Sequence, residues 1–276
     1  MTQKIIKNLR KQFNKLSIDG YIIPKNDEFF GEYVPEYNDR LKFISSFSGS
    51  YGFALILKDI NYLFVDGRYT LQAKSQSGKF YKIITFPNKM PKDILKNKKL
   101  LIGFDPRLFT KRMLDIFFEN DNCRFKPLNN NLIDKIWKRK IQRDKNKFYK
   151  LPDSSVGSNY KLKVNKIVSN LKRKGANFQF ITASENNAWL FNIRGNDTKY
   201  TPIPYSHVLI DQHKNIKFFC DLNKISIFLK KKFDKIEFID QKLSEKIISR
   251  IEKKKFILNK NTFSIFFLNI ITENNK

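Results

Sequence analysis

The sequence is short of the residues that most often build reactive sites. It contains two cysteines and two histidines in 276 residues. Cys123 and Cys220 show no CxxC or CxH pattern, so the common zinc motifs are excluded, and we expect both thiols to be free and partly buried. His207 and His213 lie in a predicted strand and a predicted hairpin turn and do not form HExxH. GxSxG and phosphate-loop motifs are also absent. We therefore expect no metal site and no catalytic residues for hydrolysis in this chain.

Acidic residues are scarce as well. The chain has 26 acidic and 54 basic residues, a formal net charge of +28. Arginine, the preferred residue for bidentate phosphate and guanine contacts, supplies only 11 of the 54. Asn, Ile and Phe are abundant, as codons rich in A and T would produce. We interpret the charge as a solvated lysine surface and expect no nucleic-acid partner. A functional basic patch on a nucleic-acid-binding protein is the alternative.

Long apolar runs are missing too. No window approaches a membrane-spanning length without charges, and the N-terminal MTQKIIKNLRKQFNKL has neither an apolar core nor a cleavage site. These features predict a cytoplasmic protein without a membrane partner. A hydrophobic content of 41% is enough for a sizeable core, and the length favours about two domains.

The apolar patterns of the two halves follow the same order. Each half is predicted to contain a helix, a strand, a hairpin, a helix, a strand, a helix and a strand. Ile23 and Ile181 are 158 positions apart, Asp66 and Asp221 are 155 apart, and Phe104 and Leu258 are 154 apart. The nearly constant offset predicts two copies of one α/β unit. Chance matching of ordinary α/β elements is the alternative.

The repeat defines the expected fold class and domains. We predict an α/β protein of two tandem domains that are copies of one α/β unit. The polar, proline-containing stretch 138–159 separates the copies. The predicted limits are 1–128 for the first domain, 129–160 for the connecting segment and 161–276 for the second domain.

The segment RLKFISSFSGSYGFALIL, residues 40–57, places serines and glycines just before a strand. Gly49 and Gly52 allow close backbone approach. A phosphate-binding loop is conceivable, but GxGxxG and GK[ST] are absent. A tight turn that leads into the strand is the favoured interpretation, with Arg40 at its start.

The segment VDGRYTLQA ends a strand with Asp66-Gly67-Arg68 and then begins a helix. Asp66 can cap that helix by accepting backbone N–H bonds. Arg68 can pair with Asp66. We favour this structural role, with a contact to a ligand or another domain as the alternative.

The segment ENNAWLFNIRGNDTKYTP, residues 185–202, is predicted to begin as a short helix with Ser184 as its N-cap. Trp189 is expected to be largely buried, since an indole carries a large apolar surface. The helix is expected to stop around Gly195.

Polar residues then gather at the end of this helix. Asn192, Arg194 and Asp197 are close in sequence. Arg194 and Asp197 form a local salt bridge in one interpretation. In the other, a rigid loop presents Arg194 to a partner domain or a substrate. Spacing alone does not separate the two.

Four segments, taken in order, resemble the N-terminal half of aminopeptidase P, the Xaa-Pro aminopeptidase family with creatinase N-terminal-like domains in the pita-bread peptidase superfamily. They cover essentially the whole chain. They are RLKFISSFSGSYGFALIL, LFVDGRYTLQA, NLIDKIWKRK and ENNAWLFNIRGND. The chain departs from the family pattern at three places: Ser46 stands where Gly is usual, Glu185-Asn186 where Asp-Glu is usual, and His207 where Tyr is common.

The resemblance implies two tandem creatinase N-terminal-like domains, each a mixed β-sheet flanked by helices. It also implies a third, C-terminal pita-bread catalytic domain that this sequence is expected to lack. In that family the catalytic domain holds two divalent metal ions, for which we expect manganese, and it cleaves after an N-terminal residue that precedes proline. This chain would then lack a cofactor of its own. It would act on peptide only with that domain, joined in cis or supplied in trans.

The resemblance also supplies the candidate site residues. Arg68, Asn192 and Arg194 become candidates for substrate or domain contacts. Docking is expected to cover apolar surface near the C-terminal FFLNII segment. A stand-alone interaction module without peptidase activity is the alternative function.

Overall fold

The computed structural model describes residues 2–118, 122–139, 144–233 and 235–275. The chain forms two compact units. The first contains Met1–Asp27 and Glu36–Ile141, and the second contains Glu28–Pro35 and Gln142–Lys276. The predicted connecting segment 129–160 spans this division, and its residues 140–143 lie outside the described residues.

The first unit is built from amphipathic helices and short apolar strands. Its helices are α1 (Thr2–Leu16), α2 (Arg40–Ser45), α3 (Thr70–Ser77), α4 (Pro91–Leu95), α5 (Lys111–Phe118) and α6 (Leu132–Ile136). Its strands are β1 (Gly20–Pro24), β2 (Gly52–Leu57), β3 (Asn61–Asp66), β4 (Lys82–Phe86), β5 (Leu101–Phe104) and β6 (Arg124–Pro127).

The strands of the first unit form one mixed sheet in the order β4-β3-β2-β1-β5-β6. β2 and β3 form the predicted hairpin and are antiparallel. The β1–β2 pair is also antiparallel, and the other neighbouring strands are parallel. Alternate residues of β1 to β3 face a core that also includes Leu9 and Phe13 of α1 and Leu41 of α2. The residues between them point to the opposite face and are buried as well in β1 and β2. On that face Phe53 contacts Phe117 and Phe118 of α5, so helices cover both faces of the sheet.

The second unit contains a similar series of helices and strands. Its helices are α7 (Tyr160–Arg173), α8 (Ser184–Phe191), α9 (Ile227–Lys232), α10 (Ser244–Ile248) and α11 (Ile265–Asn274). Its strands are β7 (Tyr149–Lys150), β8 (Phe178–Ile181), β9 (Ile193–Arg194), β10 (Ser206–Asp211), β11 (Ile216–Cys220), β12 (Ile236–Asp240) and β13 (Phe256–Ile257).

The second sheet confirms the predicted repeat. Its order is β12-β11-β10-β8-β13, and β7 pairs with β9 in a separate ladder. Each pair has the same direction as its counterpart in the first sheet, with β8–β10–β11 antiparallel and the outer pairs parallel. Gly52 lies opposite Val65 in the first sheet, and Ser206 lies opposite Cys220 in the second. Residues that the sequence offset aligns therefore occupy equivalent positions in the two sheets.

The second sheet is covered on both faces. One face packs with α7, α8 and α9, and the other packs with α10 and α11. The expectation of exposed apolar surface in the FFLNII segment is wrong. Phe267 and Ile271 are buried, and Phe266, Leu268 and Ile270 pack against the same core. Within the described ranges, no helix has the length and apolar character needed to cross a bilayer.

Candidate functional site

The first candidate is the turn at the end of β3. The Asp66 carboxylate accepts the Arg68 N–H at 2.9 Å and caps a single 3₁₀ turn, Gly67–Tyr69. The predicted cap therefore acts on this turn, whereas α3 itself begins after Tyr69 without a side-chain cap. Arg68 Nε also donates to Asp66 Oδ1 at 2.9 Å. These hydrogen bonds from Arg68 lower the pKa of Asp66. The Arg68 side chain is 71% exposed, so the turn presents a guanidinium of fixed direction to its surroundings.

The second unit repeats the cap without the guanidinium. Asp221 follows β11 and accepts the Asn223 N–H at 3.0 Å, which caps the 3₁₀ turn Leu222–Lys224. Asn223 therefore stands at the position that Arg68 occupies in the first unit. The cap is part of the repeated architecture, whereas the exposed arginine is specific to the first copy.

Gly49 lies before β2 and Gly52 begins it, and neither position has room for a side chain. A Cβ on Gly49 would lie 2.2 Å from the Phe47 ring, and one on Gly52 would lie 2.7 Å from the Phe64 carbonyl oxygen. The Ser48 N–H donates to Gln76 Oε1 at 3.0 Å. That amide is therefore already occupied. The backbone bends at Ser50 and Tyr51 on its way into β2, and the tight turn favoured from the sequence stays a prediction.

Ser46, just before this turn, has a left-handed backbone with φ of 67°. Glycine adopts this conformation without strain. The backbone geometry here therefore suits the glycine that the resemblance leads us to expect, although serine occupies the position.

Arg40 lies inside the first unit. Its side chain is 2% exposed, and Nε and Nη2 donate to the two oxygens of Asp134 at 2.9 Å each. Arg139 donates to the same carboxylate at 2.9 Å. Arg40 therefore stabilises the packing of α2 on α6.

In the second unit, three predictions about α8 are wrong. Ser184 is the first helical residue and not the N-cap, because its hydroxyl bonds the backbone of Ser206 instead. The helix stops at Asn192, which is left-handed with φ of 55°, and not at Gly195. Trp189 is 63% exposed, because Leu190 and Phe191 fill the core position of this turn.

A buried lysine that the sequence analysis missed organises this helix end. Lys163 of α7 is 5% exposed, and its Nζ donates to Asn192 Oδ1 at 2.7 Å and to the Trp189 carbonyl. The same ammonium lies 4.2 Å from the Trp189 ring centroid, a cation–π contact. Burial, and then the charge of Arg194, lower the pKa of Lys163. The one signal in the sequence was a lysine beside Val164 on the apolar face of α7.

Asn192 is consequently a positioning residue. It is 4% exposed, its Nδ2 donates to the Ser158 carbonyl at 3.1 Å, and its own carbonyl accepts the Leu151 N–H at 2.9 Å. Its hydrogen-bonding groups tie the end of α8 to two neighbouring segments. This arrangement fixes where the next residues leave the helix.

Of the two interpretations left open for Arg194, the local salt bridge with Asp197 is not formed. Arg194 Nη1 donates to the carbonyls of Ala188 and Ile193, at 2.9 and 3.0 Å, because the side chain folds back over the last turn of α8. Asp197 pairs with Lys224 instead, which lies far away in sequence. Part of the hydrogen-bonding capacity of the Arg194 guanidinium is therefore used within the second unit.

The ion pair of Asp197 and Lys224 fixes the loop that follows. The two side chains are 8% and 3% exposed, and Asp197 Oδ2 also accepts the Tyr205 N–H at 2.7 Å. Burial raises the pKa of Asp197 and outweighs the opposing hydrogen bonds from Lys224 and Tyr205. Gly195 is enclosed as well, since a Cβ there would lie 2.6 Å from the Phe148 ring.

No metal centre fits the part of the chain that the structure describes. Those ranges contain no group of three or more His, Cys, Asp or Glu side chains placed to hold an ion. The dinuclear set that the resemblance implies for a catalytic domain therefore has no counterpart there. Cys123 and Cys220 are free thiols, and both are buried.

Comparison with known protein families accounts for both units. The Creatinase/Prolidase N-terminal domain family matches twice, over residues 5–136 and over residues 139–276. A structural relative, the X-prolyl aminopeptidase of Caenorhabditis elegans, is a cytosolic enzyme with a di-nuclear active site. It superposes on all of this chain with a TM-score of 0.88 at 24% identity, and the match covers 49% of that protein. At this identity the likeness establishes the fold.

Sequence relatives carry related names. The probable Xaa-Pro aminopeptidase P of Coprinopsis cinerea is 30% identical over 230 residues, which cover 79% of this chain and 36% of that protein. Xaa-Pro aminopeptidase 1 of Dictyostelium discoideum is 29% identical over 251 residues, which cover 81% of this chain and 38% of that protein. The chain thus spans little more than a third of the length of these relatives. It belongs to the family of creatinase/prolidase N-terminal domains, carries two of them in tandem, and corresponds to the N-terminal half of aminopeptidase P.

Proposed function

We propose that this chain is the non-catalytic N-terminal portion of a metal-dependent Xaa-Pro aminopeptidase, which removes an N-terminal residue preceding proline. Its two domains would shape the substrate cleft and dock a C-terminal catalytic domain, in cis or in trans. The observation that carries the proposal is the pair of family matches, which together account for nearly the whole chain. Two relatives named as Xaa-Pro aminopeptidases support the choice of reaction.

The chemistry would come from the catalytic domain. That domain would hold two divalent metal ions, manganese in our proposal, and such a pair stabilises both the attacking and the departing group. The described residues of this chain would contribute binding and positioning only. The cytosolic location of the C. elegans enzyme supports a cytoplasmic location for this protein as well.

The candidate residues would have different roles in docking. Arg68 is exposed and held by Asp66, so it is the candidate for a direct contact with the catalytic domain or its peptide. Asn192 is buried and would position the end of α8. Arg194 is half-buried and would act with it, since its guanidinium already bonds the Ala188 carbonyl.

A chimera tests the proposal. This chain replaces the matching part of the Dictyostelium Xaa-Pro aminopeptidase 1, and cleavage of an Xaa-Pro peptide is measured. We expect the chimera to cleave the peptide and Arg68→Ala to lower kcat/KM about tenfold.

Lys254→Ala, which removes another exposed cation, is the matched control and should leave kcat/KM unchanged. A folded chimera without activity would argue against the proposed role. An equal loss of kcat/KM in Arg68→Ala and Lys254→Ala would show that Arg68 has no specific part in that role.

A further inference from the structure

The second unit contains a short stretch of chain that is remote from the rest of it in sequence. Residues 28–35 belong to this unit, although the segments before and after them belong to the first. The stretch forms neither helix nor strand, and all of it is half-buried except the exposed Glu32. Side chains must therefore hold it in place, because no sheet ladder does.

Two aromatic rings of the stretch make the main contacts. The Phe29 ring stacks on Tyr205 with centroids 4.1 Å apart and planes at 17°, and it lies 5.3 Å from the His207 ring. Four residues later, the Tyr33 ring meets Tyr200 edge-on at 5.3 Å. Both are favourable aromatic geometries.

A polar contact lies between the two rings. The Glu32 N–H donates to Glu185 Oε1 at 3.1 Å. Phe30 has a left-handed backbone with φ of 54°, which bends the stretch between its two aromatic contacts. The pattern is therefore an aromatic residue, a bend, a backbone donor and a second aromatic residue.

The two hydrophobic clusters described for the second unit, one on each face of the sheet, include neither Phe29 nor Tyr33. Phe29 reaches one of them only through His207, whose ring contacts Phe180 and Phe267. The loop that carries Tyr200 is fixed separately by the buried pair of Asp197 and Lys224. Both clusters and this anchor are therefore formed mainly by residues outside the stretch.

We infer that the second unit carries a binding groove for an aromatic peptide segment, formed by Glu185, Tyr200, Tyr205 and His207, and that residues 28–35 of the same chain are its ligand. The ligand class is a peptide with two aromatic side chains four residues apart and a free backbone N–H between them. Segments held by a few half-buried side chains open locally at low cost. The inference concerns the second unit alone and does not depend on the proposed docking.

Hydrogen exchange on the full chain tests the groove. The double variant Phe29→Ala/Tyr33→Ala should raise exchange of the amides between Thr198 and Ser206 about tenfold, because the ring contacts that cover this segment are lost. The amides of β11 should keep their protection. Phe228→Ala removes an exposed ring of the same unit and should change neither region.

Rescue in trans separates a groove from a merely structural contact. A synthetic peptide with the sequence NDEFFGEYVPEY, residues 26–37, is added to the double variant at millimolar concentration, the order of the effective concentration of a tethered segment. We expect it to restore protection, and the same peptide with Ala at both ring positions to fail. The inference is overturned if the native peptide restores nothing, if the double variant exchanges like the wild type, or if β11 loses protection equally.

Discussion

Buried polar side chains decide the geometry of the second unit at the scale of single residues. Lys163, Asn192 and Lys224 are each no more than 5% exposed, and the Asp197 side chain is 8% exposed. Groups of this kind are costly unless they are fully paired. Together they hold α8 and the loop after it, so that the path of the backbone follows from electrostatics as much as from apolar packing.

The ion pair of Asp197 and Lys224 gives the first prediction. Lys224→Met leaves the Asp197 carboxylate buried without its cation, which should cost about 3–5 kcal/mol of unfolding free energy. The double variant Asp197→Asn/Lys224→Met removes both charges and keeps an acceptor for the Tyr205 N–H. Its unfolding free energy, measured by urea denaturation, should fall much less than that of the single variant. A loss under about 1 kcal/mol in Lys224→Met would contradict this prediction.

His207 gives a prediction about pH. Gln241 Nε2 lies 2.9 Å from His207 Nδ1, so the amide donates to a neutral ring. Burial, opposed only in part by the Glu28 backbone, lowers the pKa of His207 to about 4. Below about pH 6.5 the unfolded chain binds a proton that the folded protein does not, so stability falls as the pH drops towards 4. The total loss is about 3 kcal/mol.

The repeat supplies the variant for this test. Phe53 occupies the register position of the first sheet that His207 occupies in the second. His207→Phe should therefore remove this component of the acid sensitivity, measured as urea unfolding free energy between pH 7 and pH 4. His213→Gln, in the exposed hairpin turn, is the control and should keep it. If the unfolding free energy of His207→Phe still falls with pH as in the wild type, His207 is not the source of this acid sensitivity.

Some of these residues were predictable from sequence and others were not. The cap by Asp66 follows from local order, because a carboxylate just before a turn can reach an N–H two residues later. The partner of Asp197 is 27 positions away, and no local pattern indicates it. Trp189 was misjudged because an indole can use its apolar surface to support an ammonium, here that of Lys163, as well as to fill a core.

At the scale of elements, apolar periodicity was sufficient for the long strands, both hairpins and helices such as α1 and α7. It did not predict β7, β9 or the assignment of residues 28–35 to the second unit. These features have short or irregular backbones whose contacts are made by residues remote in sequence. Their position depends on tertiary packing, which a local pattern does not contain.

The repeated acid-capped turns give the prediction at this scale. Asp66→Ala and Asp221→Ala should each lower the unfolding free energy, Asp221→Ala by about 1 kcal/mol, because each leaves a backbone N–H group of a 3₁₀ turn without its acceptor. Asp66→Asn keeps an acceptor and should cost less. Urea denaturation measures all three. A negligible loss in Asp221→Ala beside a large one in Asp66→Ala would show that the two turns are not equivalent.

At the scale of the whole molecule, the chain is a duplicated framework. The five strands of the second sheet repeat the order and register of five of the six strands in the first. The two units carry different surfaces, an exposed Arg68 turn in one and a polar loop held by buried charges in the other. Duplication preserves the backbone, while side chains at equivalent positions diverge. In the proposed function, this framework shapes the cleft and another domain supplies the chemistry.

Cleavage of an Xaa-Pro peptide by the purified chain alone, with added manganese, tests this central claim most directly. The described residues provide no group of His, Cys, Asp or Glu that could hold the metal, so we predict no product above a blank without protein. Xaa-Pro aminopeptidase 1 of Dictyostelium under the same conditions is the positive control. Turnover that follows the concentration of this chain, and persists through a further purification step, would contradict the account.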